Sequence, residues 1–523
     1  MQGVGAAWLM TSLSKAPELT ALLTTAASLP LFLVGLPAGA LADVIDRRWL
    51  VLITQIWMLA MATALGVLTI VGFMNPWGLL TLTFLLGLGG ALSAPAWQAI
   101  IPELVGRQQL PAAVALNSAG FNLARAVGPA LGGIVVAAAG PGAVFLLNAV
   151  SFLAVISVIY RWQATPRERD KTTPSESVFE AVQSGIRYAR HAAALQAVLV
   201  RTAAFIVAAS ALWALLPIVA RHDLGLGALG YGVLLGSLGL GAVGGAIILP
   251  RLRERMSADM LMILFTLIFA ATTLVLGYVH NVWLVNAAMV ATGVAWLILT
   301  SSLNVSAQLT TPAWVQARAL GVYLLVFQGG FAAGSAVWGA IAGRVGDGRA
   351  LLGAAIVLVV GSATALRWRL RSGEELDLSP SQHWPQLEVE IEPEPGEGPV
   401  LVTVEYQVGD AEAEDFVRTM NEVRTFRLRD GAMRWGLFRD PAAPERYLET
   451  FVVPSWAEHL RQHERITVAD KEIEDRALAL QQPGTSPTTT HFIAVRPSDV
   501  SEQSMLSPRA RSDGNHSMEQ EPS

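Results

Sequence analysis

Long apolar stretches recur along most of this chain, and they decide what it can fold into. They lie at 19–42, 50–73, 77–100, 112–138, 142–161, 196–220, 227–249, 258–279, 281–305, 319–342 and 349–367. A bilayer core of roughly 30 Å takes about 20 helical residues to cross, so each stretch is long enough to span it. In lipid every backbone N–H and C=O must be bonded within the segment, which makes these stretches helices. Composition agrees: 53% of residues are hydrophobic and 15% charged, whereas soluble proteins carry about 25% charged residues.

Ahead of the first full stretch stands MQGVGAAWLM, about half a span. It is expected to be the second half of an incomplete first helix, which brings the total to twelve. A secretory leader is the rival reading for 19–42, because Ala40-Leu41-Ala42 precedes Asp43 like a cleavage site. The stretch is too long for that, basic residues follow it, and ten more spans come after.

Charge divides the chain. Residues 1–371 carry 22 Lys+Arg against 12 Asp+Glu, a net of +10, while residues 372–523 carry 14 against 29, a net of −15. Across alternate loops, sixteen basic residues fall on one side, among them Arg47, Arg48, Arg251, Arg253 and Arg255. Four fall on the other: Lys15, Arg221, Arg344 and Arg349. Basic loops stay in the cytoplasm, which places the first side and everything after Arg371 inside the cell. The loop 163–195 separates an N-terminal lobe at 1–162 from a C-terminal lobe at 196–371, six spans each if the short helix is counted. Within that loop SVFEAVQSGIRYARH reads as an amphipathic helix. Val178, Ala181, Val182, Ile186 and Tyr188 can face lipid or protein, and Arg187 and Arg190 the headgroups.

Between the first two full spans lies GALADVIDRR, residues 39–48. It resembles the G-x-L-A-D-x-x-G-R-R signature of the major facilitator superfamily, with Asp46 at the usual Gly and Val44 where a basic residue is common. The resemblance implies that Gly39, Asp43, Arg47 and Arg48 form a latch between the lobes, closed when the cytoplasmic side is closed. A carboxylate at a helix end can pair with Arg47 or accept from another helix N-terminus. A second stretch, ARAVGPALGG at 124–133, resembles the glycine-proline motif of the superfamily's export branches. Gly128 and Gly132 would let a neighbouring helix approach, and Pro129 would bend its own helix. Together with GVGAAWLM, SAPAWQAIIPELV and LPRLRERMS, these stretches resemble the group containing enterobactin exporters and related transmembrane secretion effectors. The implied fold is an all-α membrane protein of two six-helix lobes, in the inner membrane of a bacterial cell.

Ionisable groups inside spans are functional candidates. Arg125 is one, a contact for an anionic substrate or for carbonyls of a neighbouring helix. Arg201, near a span end, is expected to snorkel. Asn117, Asn122, Gln98 and Gln328 complete the candidate pathway, with Asn148 and Asn304 expected to bond between helices. Trp8, Trp97, Trp213, Trp296 and Trp338 can stack on an aromatic substrate or simply pack. No Asp or Glu lies mid-span, so proton coupling is implied by the resemblance and not by the residues. The absence of cysteine excludes thiolate chemistry, and no P-loop motif is present.

Residues 372–398 are rich in Pro and Glu and read as a linker. From 399 to 497 the pattern is β-α-β-β-α-β, the order of a ferredoxin-like module, and it resembles the antibiotic-biosynthesis-monooxygenase type. His459 and His463, four apart, could hold a metal or haem, but a solvated helix face is expected. Residues 498–523 read as a disordered tail.

The expected function is secondary transport. A small-molecule substrate, a siderophore or drug-like amphiphile, would be exported through the lipid bilayer by alternating access. No cofactor, metal or nucleic acid is expected, and the C-terminal module is a candidate for forming a homodimer. Uptake of a metabolite and a membrane-tethered oxidoreductase remain alternatives.

Overall fold

A computed structural model describes residues 1–104, 109–162, 178–370, 377–381, 383–384 and 393–495. The described chain forms two compact units, 1–378 and 379–523.

The first unit is all helical. The short α1 spans Gln2–Leu13, followed by α2 Pro17–Val44, α3 Arg47–Ile70, α4 Pro76–Leu104 and α5 Leu110–Arg161. Then come α6 Val178–His191, α7 Ala193–Ile218, α8 Ala228–Arg253, α9 Ala258–Tyr278, α10 Val282–Leu309, α11 Gln316–Val345 and α12 Asp347–Ser362. Among the described residues ten helices are long and apolar enough to cross a membrane. The apolar stretches number eleven because two of them fall on α5, whose 52 residues would run about 78 Å as one straight helix. The backbone does break there, at Gly140 with φ 79° and ψ 169°, and Pro141, which lacks an N–H, starts the next helical turn.

Local chemistry sets the helix starts. Pro17 occupies the first turn of α2, and the side chains of Asp46, Ser257 and Asn281 accept backbone N–H groups at the starts of α3, α9 and α10. Glycine sets how closely helices cross. At Gly241 and Gly293 a Cβ would strike the carbonyls of Val290 and Leu238, so α8 and α10 touch backbone to backbone.

Helix α6 forms where the amphipathic pattern expects it, and its apolar face meets protein. Tyr188 is buried and donates to the Thr310 carbonyl at 2.9 Å, and Arg318 donates to Ser184 at 2.8 Å. Ile186 is exposed, and the side chains of Val178 and Ala181 lie outside the described ones.

The second unit is a four-stranded antiparallel sheet with helices on one face. Its elements are β1 Val400–Gln407, α13 Ala413–Asp430, β2 Arg434–Arg439, β3 Arg446–Val453, α14 Trp456–Arg465, α15 Val468–Leu478 and β4 Thr488–Ile493, in sheet order β2-β3-β1-β4. Strand alternation buries Val400, Val402, Val404 and Tyr406 against Phe416, Met420, Val423 and Phe426 of α13. The expected second helix is two, divided at Ile466 and restarted by a Thr467/Asp470 capping box. Part of the stretch read as linker packs onto this unit. Pro380 bridges Thr467, His383 and Trp384 bond Glu474, and Glu397 accepts from the Trp456 backbone. A Pro/Glu count does not weigh one half-buried Trp. The tail 498–523 and loop residues 163–177 lie outside the described residues.

Candidate substrate pathway and gating contacts

The N-terminal helices α1–α5 meet the C-terminal helices α7–α12 along two seams, α2 with α11 and α5 with α8. The first runs from Glu18 beside Gly343, through Ala21 at Gly339 and Thr25 donating to the Ala332 carbonyl at 2.9 Å, to Phe32 at Gly329. It uses the first part of α2 and the last part of α11. Farther along α2, Leu33 and Leu41 are exposed. In the second seam a Cβ on Gly133 would lie 2.9 Å from the Gly232 Cα, and one on Gly236 would lie 3.5 Å from the Ala130 Cβ.

A third contact joins the sets where α1 ends. Arg221, on the π-helical turn Val219–Asp223 after α7, donates to Ser12 at 2.6 Å and Thr11 at 3.1 Å. Its guanidinium lies 5.0 Å from the Trp8 ring, which stacks on Tyr231 of α8 at 6.4 Å. In the sequence Arg221 is only a loop charge, because its partners are some 210 positions away.

In the 39–48 segment, Asp46 caps α3, accepting from the Trp49 N–H at 3.1 Å. That explains an acid where the signature has Gly. Arg48 donates to the Ile159 and Tyr160 carbonyls at 3.2 and 2.6 Å, tying α3 to the end of α5 within the N-terminal set. The surroundings of Gly39 and the side chain of Asp43 lie outside what the structure describes. On α5, Gly128 and Gly132 face Met1, where a Cβ would come within 3.5 and 2.9 Å of its backbone.

The other pathway candidates are not brought together by any contact among the described residues. Asn117 and Gln98 are exposed, Gln328 is half-buried, and the side chains of Asn122 and Arg125 lie outside the described ones. Asn148 bonds Gln2 across α1 and α5. Among the described residues Asn304 accepts from Gln308 of its own helix at 2.6 Å, and not from a neighbouring helix.

Arg201 corrects an expectation. It does not snorkel: it is 3% exposed and pairs with Asp259 of α9 at 2.5 Å. It also donates to the Trp368 carbonyl at 3.3 Å, and Asp259 accepts from the Leu370 N–H at 3.2 Å. One ion pair thus fastens α7, α9 and the segment leaving α12.

The tryptophans separate by environment. Trp97 packs in a small cluster with Leu50 and Ile159, and Trp338 donates to the Val207 carbonyl at 2.8 Å, both structural. Trp213 of α7 and Trp296 of α10 lie 5.3 Å apart, centroid to centroid, within an aromatic group that includes Phe205, Phe327 and Phe331. Rings drawn from three helices leave no local pattern in the sequence.

The second unit holds a buried polar network. Arg427 pairs with Glu449 at 3.0 Å and Glu474 at 2.8 Å. Tyr406 and Trp435 donate to Glu449 at 2.9 Å each, and His383 bonds Glu474 at 2.7 Å. Burial works against the Glu474 charge, yet Arg427 and the donors around it hold its carboxyl below the usual range. The face of α14 bearing His459 and His463 is not solvated as expected. His459 is 1% exposed, its ring 5.0 Å from His463 and 4.8 Å from His491. Burial, then the neighbouring histidines, push His459 down to about 3 and His463 to about 4. Among the described residues no group of three or more His, Cys, Asp or Glu is placed to hold a metal ion.

Comparison with known proteins fits this layout. The family described as "Transmembrane secretion effector" matches residues 1–498, across both units. The multidrug efflux pump Tap of Mycolicibacterium fortuitum is 27% identical over 313 residues, 57% of this chain and 74% of that one. The staphyloferrin A transporter of Staphylococcus aureus is 32% identical over 129 residues, 24% of this chain and 32% of that one. An uncharacterized MFS-type transporter of Bacillus subtilis, YfiS, is 27% identical over 169 residues, 32% of this chain and 39% of that relative's length. Among solved structures, the nucleoside transporter NupG superposes with a TM-score of 0.55 at 11% identity, covering 71% of this chain and 96% of that one. A bacterial homolog of the lysosomal transporter Spinster gives 0.55 at 13%, covering 71% and 94%. These two show a shared fold. The chain spans under half the length of some of these relatives; with the family matching residues 1–498, it belongs to the transmembrane secretion effector family of the major facilitator superfamily and is a multi-pass membrane protein.

Proposed function

We propose that this protein exports a small amphiphilic molecule, a siderophore or a drug-like compound, across a bacterial inner membrane by rocking two six-helix lobes, with proton antiport as the drive. The secretion-family match over residues 1–498 carries the export direction, and the efflux pump and siderophore transporter among the relatives support the substrate class. The seams support the mechanism. Contacts between the lobes gather toward the ends that the basic-loop count places outside, next to Arg221 and Arg344. In this reading the structure is closed outward. Opening outward would part the glycine seams and the Arg221–Trp8 contact, while the latch at Gly39, Asp43, Arg47 and Arg48 closes the inner end. Arg125, Asn117, Asn122, Gln98 and Gln328 are the proposed pathway, with Gly128, Pro129 and Gly132 shaping α5.

The C-terminal unit is proposed as a cytoplasmic ferredoxin-like module that pairs with a second copy. Its sheet order supports the fold, and Phe438 and Phe492 on the sheet, both exposed, support the pairing. The test is substrate accumulation in everted vesicles, whose outer face is the cytoplasmic one, comparing wild type with Asp43→Asn and Arg125→Ala, with and without a protonophore. Slowed accumulation in both variants and loss with protonophore support the reading. Equal rates in all three remove the site assignments, and extrusion in place of accumulation removes the direction.

A further inference from the structure

Helix α7 is enclosed by protein. In its most hydrophobic stretch 78% of residues are buried, against 22–50% in the other nine candidate spans. From Ala208 to Ala220 every residue is buried except Trp213. Trp213 is therefore the point at which this run of α7 meets open space.

Three further observations describe that space. Trp213 lies against Trp296 at 5.3 Å and Phe331 at 6.5 Å, ring faces at 65° and 58° to it, so the rings make an angled cradle and not a stack. Phe331 and Trp296 are themselves only partly buried. The Trp213 indole nitrogen is shielded from solvent and bonds to nothing among the described residues, whereas the Trp338 indole donates to a carbonyl at 2.8 Å. A buried indole N–H normally has an acceptor, and leaving it without one is costly. No ionisable side chain contributes to the cradle, so no counter-charge there rewards an anionic ring.

We infer that Trp213, Trp296 and Phe331 form a subsite for a flat conjugated ring bearing a carbonyl or similar oxygen, which accepts the Trp213 N–H. Calling its ligand a transported substrate rests on the export reading above; the binding chemistry does not.

The test uses the full-length protein in nanodiscs, with empty nanodiscs subtracted, and two probes measured by equilibrium dialysis. 3-Hydroxyflavone is planar and carries a carbonyl, and 2-phenylnaphthalene is a similar ring system without an acceptor. Trp213→Phe keeps a ring and removes the donor. It is expected to weaken 3-hydroxyflavone about tenfold, the worth of one buried hydrogen bond, and to leave 2-phenylnaphthalene within about twofold. Trp296→Ala is expected to weaken both. Thermal stability of each variant is read alongside, and Trp213→Phe, the milder change, decides the outcome if Trp296→Ala folds poorly. Wild type binding neither probe, Trp213→Phe binding 3-hydroxyflavone like wild type, or Trp213→Phe losing both probes equally would each overturn the subsite. Probe binding that follows the expected pattern in a protein that does not export would leave the subsite standing and remove the export reading.

Discussion

Replacing Arg201 by Met tests the ion pair that holds α7 to α9. The guanidinium is 3% exposed and the Asp259 side chain 23%, with 2.5 Å between them. Removing one partner of a buried pair costs about 3–5 kcal/mol, because the other charge stays buried. Asp259 retains some water and one backbone N–H, from Leu370, so the lower end, about 3 kcal/mol, is expected. If the pair is broken in the transition state for inactivation, each 1.4 kcal/mol speeds that step about tenfold. The half-life of the detergent-solubilised protein at a fixed temperature should therefore fall about a hundredfold, read as loss of the monodisperse peak. Arg201→Met with Asp259→Leu should regain most of it, since an apolar replacement of both partners is nearly neutral. A single variant within about threefold of wild type would mean that the guanidinium is hydrated in the folded protein, and the reasoning would fail.

Three further outcomes follow from other contacts. Gly232→Val places carbons where the Gly133 Cα and the Pro129 carbonyl sit at 2.9 and 3.2 Å from a Cβ. It should abolish transport, and a variant that transports normally would exclude closure at this seam. Asp46→Ala should cost about 1 kcal/mol of stability through loss of the α3 cap, with Asp46→Ser restoring it in the same melting assay. The second unit should weaken in acid. Unfolded histidines titrate near 6.5, whereas His459 and His463 titrate at about 3 and about 4 when folded. The unfolded chain therefore takes up protons first, and stability present above about pH 6.5 is lost as the pH falls from there toward about 3, by about 2 kcal/mol at pH 5 for His459 alone. Hydrogen exchange of residues 400–493 at pH 7.5 and 5 checks the slope, and His459→Phe should flatten it.

The membrane architecture was legible because lipid imposes it residue by residue: length and apolarity suffice to find a span. The gap between the stretches 112–138 and 142–161 fell at the break in α5 for equally local reasons, and the β-α-β-β-α-β pattern read in 399–497 placed the strands. Pairing was not legible. Arg201 and Asp259 are 58 positions apart, and a lone arginine near a span end looks the same whether it reaches for water or for a carboxylate. His459 looked solvated because acids and arginines surround it in sequence. Several of them, such as Glu458 and Arg465, turn inward and pair with each other at 2.7 Å. The GALADVIDRR segment named the family, yet Asp46 caps α3 and Arg48 packs within one lobe.

Rocking of the two lobes is the claim on which the rest depends, and one crosslink tests it. The chain has no cysteine, and a Cβ at Gly236 would lie 3.5 Å from that of Ala130, within reach of a disulfide. Ala130→Cys with Gly236→Cys, oxidised in vesicles, should stop transport, and a reductant should restore it. Full transport by the fully crosslinked protein would contradict the account.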